Sequence, residues 1–470
     1  MKQLLSVLAF CMIIFVSCGG DADDLIIEDK GINVDEVIII DISDQDISNE
    51  DEYIDERHLR VTHDINQLRN FILARHPRFT QNRFLQNREY MDEEENILML
   101  QEFNESIDAI LENVHYLSED DIIIEIQRTF SILKDNHLFF DEFAYLTTRY
   151  RYPIAFRWLD DGFYLLGSHA EYSEALNLRL NAVNGVVIDT ILEEFSRLWS
   201  VENIYDTRFI LMQTLGSPML LNILTGNEGE SVYSFMNGNG YNLEIRPGNV
   251  FNTSDQVELE YFINEMVDNR ADGESSPGLS NDWNILVNNG ILHIIVPRWS
   301  GGFDVFPELR NIFENNEIRA VIIDARYNGG GFSGGTYSAF FDTIFESAPP
   351  DSVFYFMNHG TFSAGIINGS HLAGRGAVLV GQPSGQNVTF FGFYGTTSFM
   401  PVVLRYSGWT IRIPNRIATI RDYSDYLEIS DDGILMPHVL IDTTIHDWIN
   451  NRDPLFNYVL SVVDNIERAD

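Results

Sequence analysis

A serine and two glycines in this chain could together perform acyl transfer. Ser363 follows the apolar run Ser352-Val-Phe-Tyr-Phe-Met357 and precedes Ala364-Gly365, where a strand should turn into a helix. A serine there stands beside the unpaired N–H groups and positive dipole end of a helix start. Gly330 and Gly331 end a second run, Ile318-Arg-Ala-Val-Ile-Ile-Asp-Ala-Arg-Tyr-Asn-Gly-Gly-Gly331. Their N–H groups can approach a substrate carbonyl, as an oxyanion hole requires. The plainer alternative is that the glycines only make tight turns and Ser363 only caps a helix.

Positioning these residues falls to a set of short buried strands. Ala377-Val-Leu-Val-Gly-Gln-Pro-Ser-Gly-Gln-Asn387 begins as the other two runs do. Such runs, separated by helical spacers, predict parallel βαβ units. Ligands bind beyond the carboxyl ends of strands in these sheets, where Asn328–Gly331, Thr361–Gly365 and Gln382–Asn387 fall. Gly290–Val296 reads as the first core strand, and Phe306–Phe313 as the helix before the strand at Ala320. Upstream, Ile65, Leu68 and Ile72 share one helical face, as do Ile107, Leu111 and Val114. Ser118-Glu-Asp-Asp121 reads as a capping box opening a third helix that stops near Leu133. His137 follows that helix end, where a histidine read from the residues alone bonds a last-turn carbonyl. Residues 150–275 read as strands, with Asn-Gly turns at Asn184 and Asn237 and a helix over Asp189–Trp199.

In order and spacing, Asp324-Ala-Arg-Tyr-Asn-Gly-Gly-Gly331, Gly360-Thr-Phe-Ser-Ala364, Gly381-Gln-Pro-Ser-Gly385 and Arg452-Asp-Pro-Leu-Phe456 resemble one known family. It is that of the tail-specific (carboxyl-terminal processing) and tricorn-like serine peptidases. The resemblance implies an α/β fold with a ClpP/crotonase-like βαβ core over 276–470. A helical cap over 61–149 and a middle domain over 150–275, PDZ-like or plainly β-rich, would complete it. It implies that Ser363 is the nucleophile, with oxyanion donors at a backbone N–H of Gly330 or Gly331 and at Ala364. Leu133-Lys-Asp-Asn-His137 resembles the segment that carries the base in tricorn-like members, which makes His137 the general base. Processing members instead use a lysine about two dozen residues after the serine. The chain has no lysine after Lys134, so a dyad within the core is excluded and Lys134 is the one lysine left to consider. The acid should lie in Glu428-Ile-Ser-Asp-Asp-Gly-Ile-Leu-Met-Pro-His438. Alignment on Pro437 favours Asp431, with Asp432 and Glu428 open, and His438 stands where the family has Asp. An imidazole base places the rise of the rate near pH 6 to 7.

The 470 residues carry a formal net charge of −41, which argues against nucleic acid as a partner. Residues 1–18 read as a signal whose end, Phe15-Val-Ser-Cys18, resembles a bacterial lipoprotein signal with Cys18 as the lipidated residue. Residues 19–60 form an acidic tether. The second cysteine, Cys11, lies inside the signal, so the mature chain has no disulfide option. No zinc-type Cys/His spacing occurs, and neither metal nor cofactor is expected. These readings converge on an exported, lipid-anchored serine endopeptidase of the cell envelope acting on peptides or proteins. The alternatives are an inactive relative that binds peptides or apolar ligands at the cell surface, and a purely structural lipoprotein.

Overall fold

The computed structural model describes residues 56–80, 91–236, 242–248, 250–253, 266–268, 283–301, 306–393 and 400–469. Cys18 and the acidic tether up to residue 55 lie outside them. No described helix is long and apolar enough to cross a membrane.

Among the described residues, six strands form the sheet that carries the site. Their spatial order is Asn284–Asn288, Ile291–Ile295, Ala320–Asp324, Val353–Met357, Val378–Gly381 and Val439–Leu440. The first pair is antiparallel and every later pair is parallel. Ala320–Asp324 and Val353–Met357 are buried along their whole length, as strands covered on both faces must be. Alternate residues serve opposite layers. Leu292, Val321, Ile323 and Tyr355 pack under the helices Phe306–Asn315, Ser338–Ser347 and Ala364–Ala373. Ile291, Ile322, Phe354 and Phe356 meet Leu455, Val459 and Val463 of the C-terminal helix Pro454–Ala469. Asp453 caps that helix by accepting from the N–H groups of Leu455 and Phe456, which is the physical content of the Arg452–Phe456 motif.

Gly290–Val296 proves to be the second strand of the sheet. A hairpin precedes it, turning through Asn289 (φ 51°) and Gly290 (φ 75°), the left-handed pair that a two-residue turn needs.

The cap consists of the helices Glu56–Arg75, Glu93–Asn113 and Glu119–Ser131. The capping box at Ser118 and Asp121 is formed in both directions. The middle region holds a second sheet, including the hairpin Arg179–Val183/Val186–Val187 around Asn184-Gly185. It also holds two helices that the strand reading did not anticipate, Ile204–Thr214 and Pro218–Thr225. One continuous apolar core unites cap and middle sheet, and it takes in Val402, Leu404, Trp409, Ile411 and Ile413 from late in the chain. That late segment returns to the cap. Strand Thr410–Arg412 pairs with Phe139–Phe140, and the buried Asp64 carboxylate accepts from the N–H groups of Tyr406 and Ser407.

Candidate active site

His137 and Ser363 meet across 226 residues of sequence, with Nε2 3.3 Å from Oγ. The histidine is placed by the way its helix ends. After Ser131 the chain turns through Lys134 in the left-handed region (φ 47°). Asp135, fully buried, then accepts from the His137 N–H at 2.8 Å and pairs with His76 Nε2 at 2.9 Å. The last-turn carbonyl of Phe130 is taken by Leu133 N–H and by the Ser200 hydroxyl, not by His137. The ring is therefore free to face the serine, and it stacks on Phe362 with centroids 4.6 Å apart. Pairing of Phe139–Phe140 with Ile411–Arg412 fixes the segment from the other side.

Ser363 sits immediately before the helix Ala364–Ala373 at φ 53° and ψ −119°, a backbone region costly for any side chain. Its surroundings hold it there. The Ser363 N–H donates to Gln386 Oε1 at 2.6 Å, and the Phe362 N–H donates to the Asn328 carbonyl at 2.9 Å.

The glycine run lies against the serine. A Cβ on Gly330 would stand 2.7 Å from Ser363 Cβ, so only glycine allows this approach. Gly330 itself is not an oxyanion donor, because its N–H is given to Asn328 Oδ1 at 2.9 Å. Asn328 is buried and donates in turn to the Val296 carbonyl at 2.7 Å, which ties the loop to the sheet. The N–H groups of Gly331 and Ala364 find no acceptor among the described residues.

Asp431, expected as the acid, does not face the buried His137 ring. Asp431 and Asp432 are exposed in the turn between Glu428–Ile429 and Leu435–Met436, and Glu428 is exposed as well. A solvent-facing hairpin tip cannot polarise a buried imidazole. Glu202 approaches instead: it, His137 and Asp135 each place a ligand atom within 4.8 Å of the others. Glu202 precedes the helix Ile204–Thr214, whose N-cap Asn203 accepts from Tyr205 and Asp206. Its Oε1 accepts from Gln386 Nε2 at 2.9 Å and its Oε2 from the Asn387 N–H at 3.0 Å. Each oxygen of Asp135 and of Glu202 thus accepts a hydrogen bond. Lys134 is largely exposed, 3.9 Å from Glu95. His438 is structural, since its Nδ1 accepts from Leu379 N–H and its Nε2 meets the Tyr426 carbonyl.

Burial governs the electrostatics. It lowers the His137 pKa to about 4 against the opposing pull of Asp135, and Arg416 adds to the lowering. Burial raises Asp206 to about 8. Burial, then the Asp206 charge, pushes Glu202 well up, partly offset by the Gln386 amide.

No family profile matches the chain, and no curated protein matches it. Among solved structures, it resembles the chlamydial protease CPAF in complex with lactacystin: TM-score 0.50 at 12% identity, over 87% of this chain and 98% of that one. A CPAF mutant with serine replaced by alanine gives a TM-score of 0.51 at 11% identity, over 86% and 96%. The tricorn protease is a looser likeness, with TM-score 0.37 at 11% identity, over 87% of this chain and 37% of that one. At such identities the CPAF likeness establishes the α/β fold.

Proposed function

We propose that this protein is a serine endopeptidase that forms an acyl-enzyme on Ser363 with His137 as general base. The observation that carries this reading is the 3.3 Å approach of His137 Nε2 to Ser363 Oγ, with the Gly331 and Ala364 N–H groups unpaired among the described residues. Nε2 takes the hydroxyl proton as Oγ bonds to the scissile carbonyl carbon. The carbonyl oxygen, now negative, is held by Gly331 and Ala364 N–H. Nε2 then gives its proton to the leaving amine, and water repeats the cycle to release the acid. A fluorophosphonate probe should label the wild-type chain, with the adduct mass on Ser363. An unlabelled, correctly folded protein would move the assignment to the alternative, a binding relative without activity.

One contact favours that alternative. Gln386 accepts from the Ser363 N–H and donates to Glu202, so its amide nitrogen faces His137 Nδ1 at 3.3 Å. A donor there places the imidazole proton on Nε2, pointing at the serine, where it blocks proton removal. Catalysis needs the proton on Nδ1 with a carboxylate to accept it, and Glu202 is the acceptor adjoining Gln386. Glu202→Gln should lower kcat by about a hundredfold or more, whereas Asp431→Asn should leave it unchanged. The reverse pattern in steady-state kinetics would return the acid to Asp431.

The lowered His137 pKa moves the expected pH dependence. The base is competent once deprotonated, so the His137 limb of kcat/KM should lie near pH 4, and Glu202, whose carboxylate the mechanism also needs and whose pKa burial raises, should add a separate limb above the ordinary carboxylate range. An imidazole neutralised by burial also links stability to pH. The unfolded chain binds the proton first, so this contribution is present above the unfolded value of 6.5 and is lost as pH falls through about 4. Rates should therefore be paired with circular dichroism at each pH. A limb at pH 6.5 in folded protein that persists in Glu202→Gln would contradict the buried-base assignment.

A further inference from the structure

We propose that a cleft behind the catalytic loops is a second binding site, for a short peptide bearing a carboxylate. The cleft has a volume of about 640 Å³, within the range of ligand pockets. It lies on the face of the six-stranded sheet opposite the helix Ala364–Ala373, between strand Ile291–Ile295, strand Ile154–Trp158 of the middle sheet, and the Trp448–Asn457 segment. Neither Ser363 nor His137 lines it.

Its charge is opposite to that of the chain. The whole sequence has 71 acidic and 30 basic residues. The cleft is lined by Arg157, Arg326 and Arg452 against the single carboxylate Asp453. Arg326 is already committed, with one nitrogen 2.6 Å from Asp324 and 2.7 Å from Asp453. Arg157 is not. Its guanidinium lies 4.8 Å from the Tyr327 ring centre and 5.3 Å from that of Trp448, and it has no carboxylate partner among the described residues. A guanidinium held on aromatic faces keeps its in-plane N–H fork available, and that fork matches the two oxygens of a carboxylate.

The cleft also offers a place for peptide backbone. Edge strand Asn284–Asn288 contributes Asn284, Leu286 and Asn288 to the lining, and among the described residues it pairs on one side only. An extended segment can add to such an edge while Leu286, 47% exposed, takes an apolar side chain. The carboxylate can be a chain terminus or an Asp or Glu side chain, since both present the same planar anion.

The test uses the full chain carrying Ser363→Ala, so that binding is read without cleavage and independently of the peptidase assignment. Calorimetric titration compares one tetrapeptide in four forms: free terminus or amide, combined with an Asp or Asn side chain. A saturable component at the cleft is expected for carboxylate-bearing forms, at least about tenfold tighter than for the neutral form, beside any binding at the Ser363 site. The better of the two singly charged forms identifies the source of the carboxylate. Arg157→Gln should abolish the preference. Equal affinity for charged and neutral peptides, absence of binding, or an undiminished preference in Arg157→Gln would each overturn the proposal. Should Arg157→Gln fail to fold, Arg157→Lys, which keeps the charge but loses the planar fork, makes the same comparison, and an undiminished preference there would also overturn the proposal.

Discussion

Ser363→Ala and His137→Ala should each reduce peptide cleavage by about a thousandfold or more, and the double variant should be no worse than either single one. Each contributes to one proton transfer across one 3.3 Å contact, so removing either partner removes the step. The loss should appear in kcat with KM little changed, because neither group is needed to hold the ground-state peptide. Lys134→Ala should keep nearly full activity, since its ammonium is largely exposed and points to Glu95. Single-turnover measurements with an internally quenched peptide read all four variants. Activity that survives His137→Ala and vanishes with Lys134→Ala would replace the base.

Gly331→Ala should cost about a hundredfold or more in kcat, the scale of losing one oxyanion donor. Its φ is +136°, a conformation side chains rarely adopt, and a Cβ there would overlap the carbonyl oxygen of Trp299. The backbone must move, and the N–H proposed as an oxyanion donor moves with it. Gly335→Ala serves as the control, because nothing lies within 4 Å of a Cβ at that position and it should behave as wild type. Thermal melts separate a displaced loop from an unfolded one. A Gly331→Ala variant with wild-type kcat would remove this N–H from the mechanism.

The core strands were legible because burial on both faces leaves uninterrupted apolar runs, as in Ala320–Asp324 and Val353–Met357. The hairpin at Asn289-Gly290 carried an equally local signal, although the exposed, mixed character of Asn284–Asn288 hid its strand. Ser363 could be picked out from its place between strand and helix, but its strained φ could not, since that is imposed by Gln386 and Asn328 from distant segments. His137 has no local pattern that separates a base from a helix-end histidine. The site for it depends on Asp135, which accepts the His137 N–H, and on Ser200, which takes the Phe130 carbonyl that the ring would otherwise bond. Glu202 was beyond sequence reasoning for the same cause. Its place is set by packing of the helix Ile204–Thr214, and the only readable trace is the N-cap Asn203 beside it. Gly330 and Gly331 look alike in sequence, and the Asn328 side chain decides which of them keeps a free N–H.

The return of the late chain to the cap sets an order on biosynthesis. His137 emerges from the ribosome well before Ser363, and the strand that steadies its segment, Thr410–Arg412, follows later still. Until that strand arrives, the growing chain has a histidine with nothing to activate and then a serine whose partner is not yet fixed. On the proposed reading, the pairing of His137 with Ser363 is complete only after Thr410–Arg412 has been made, later in the chain than either residue.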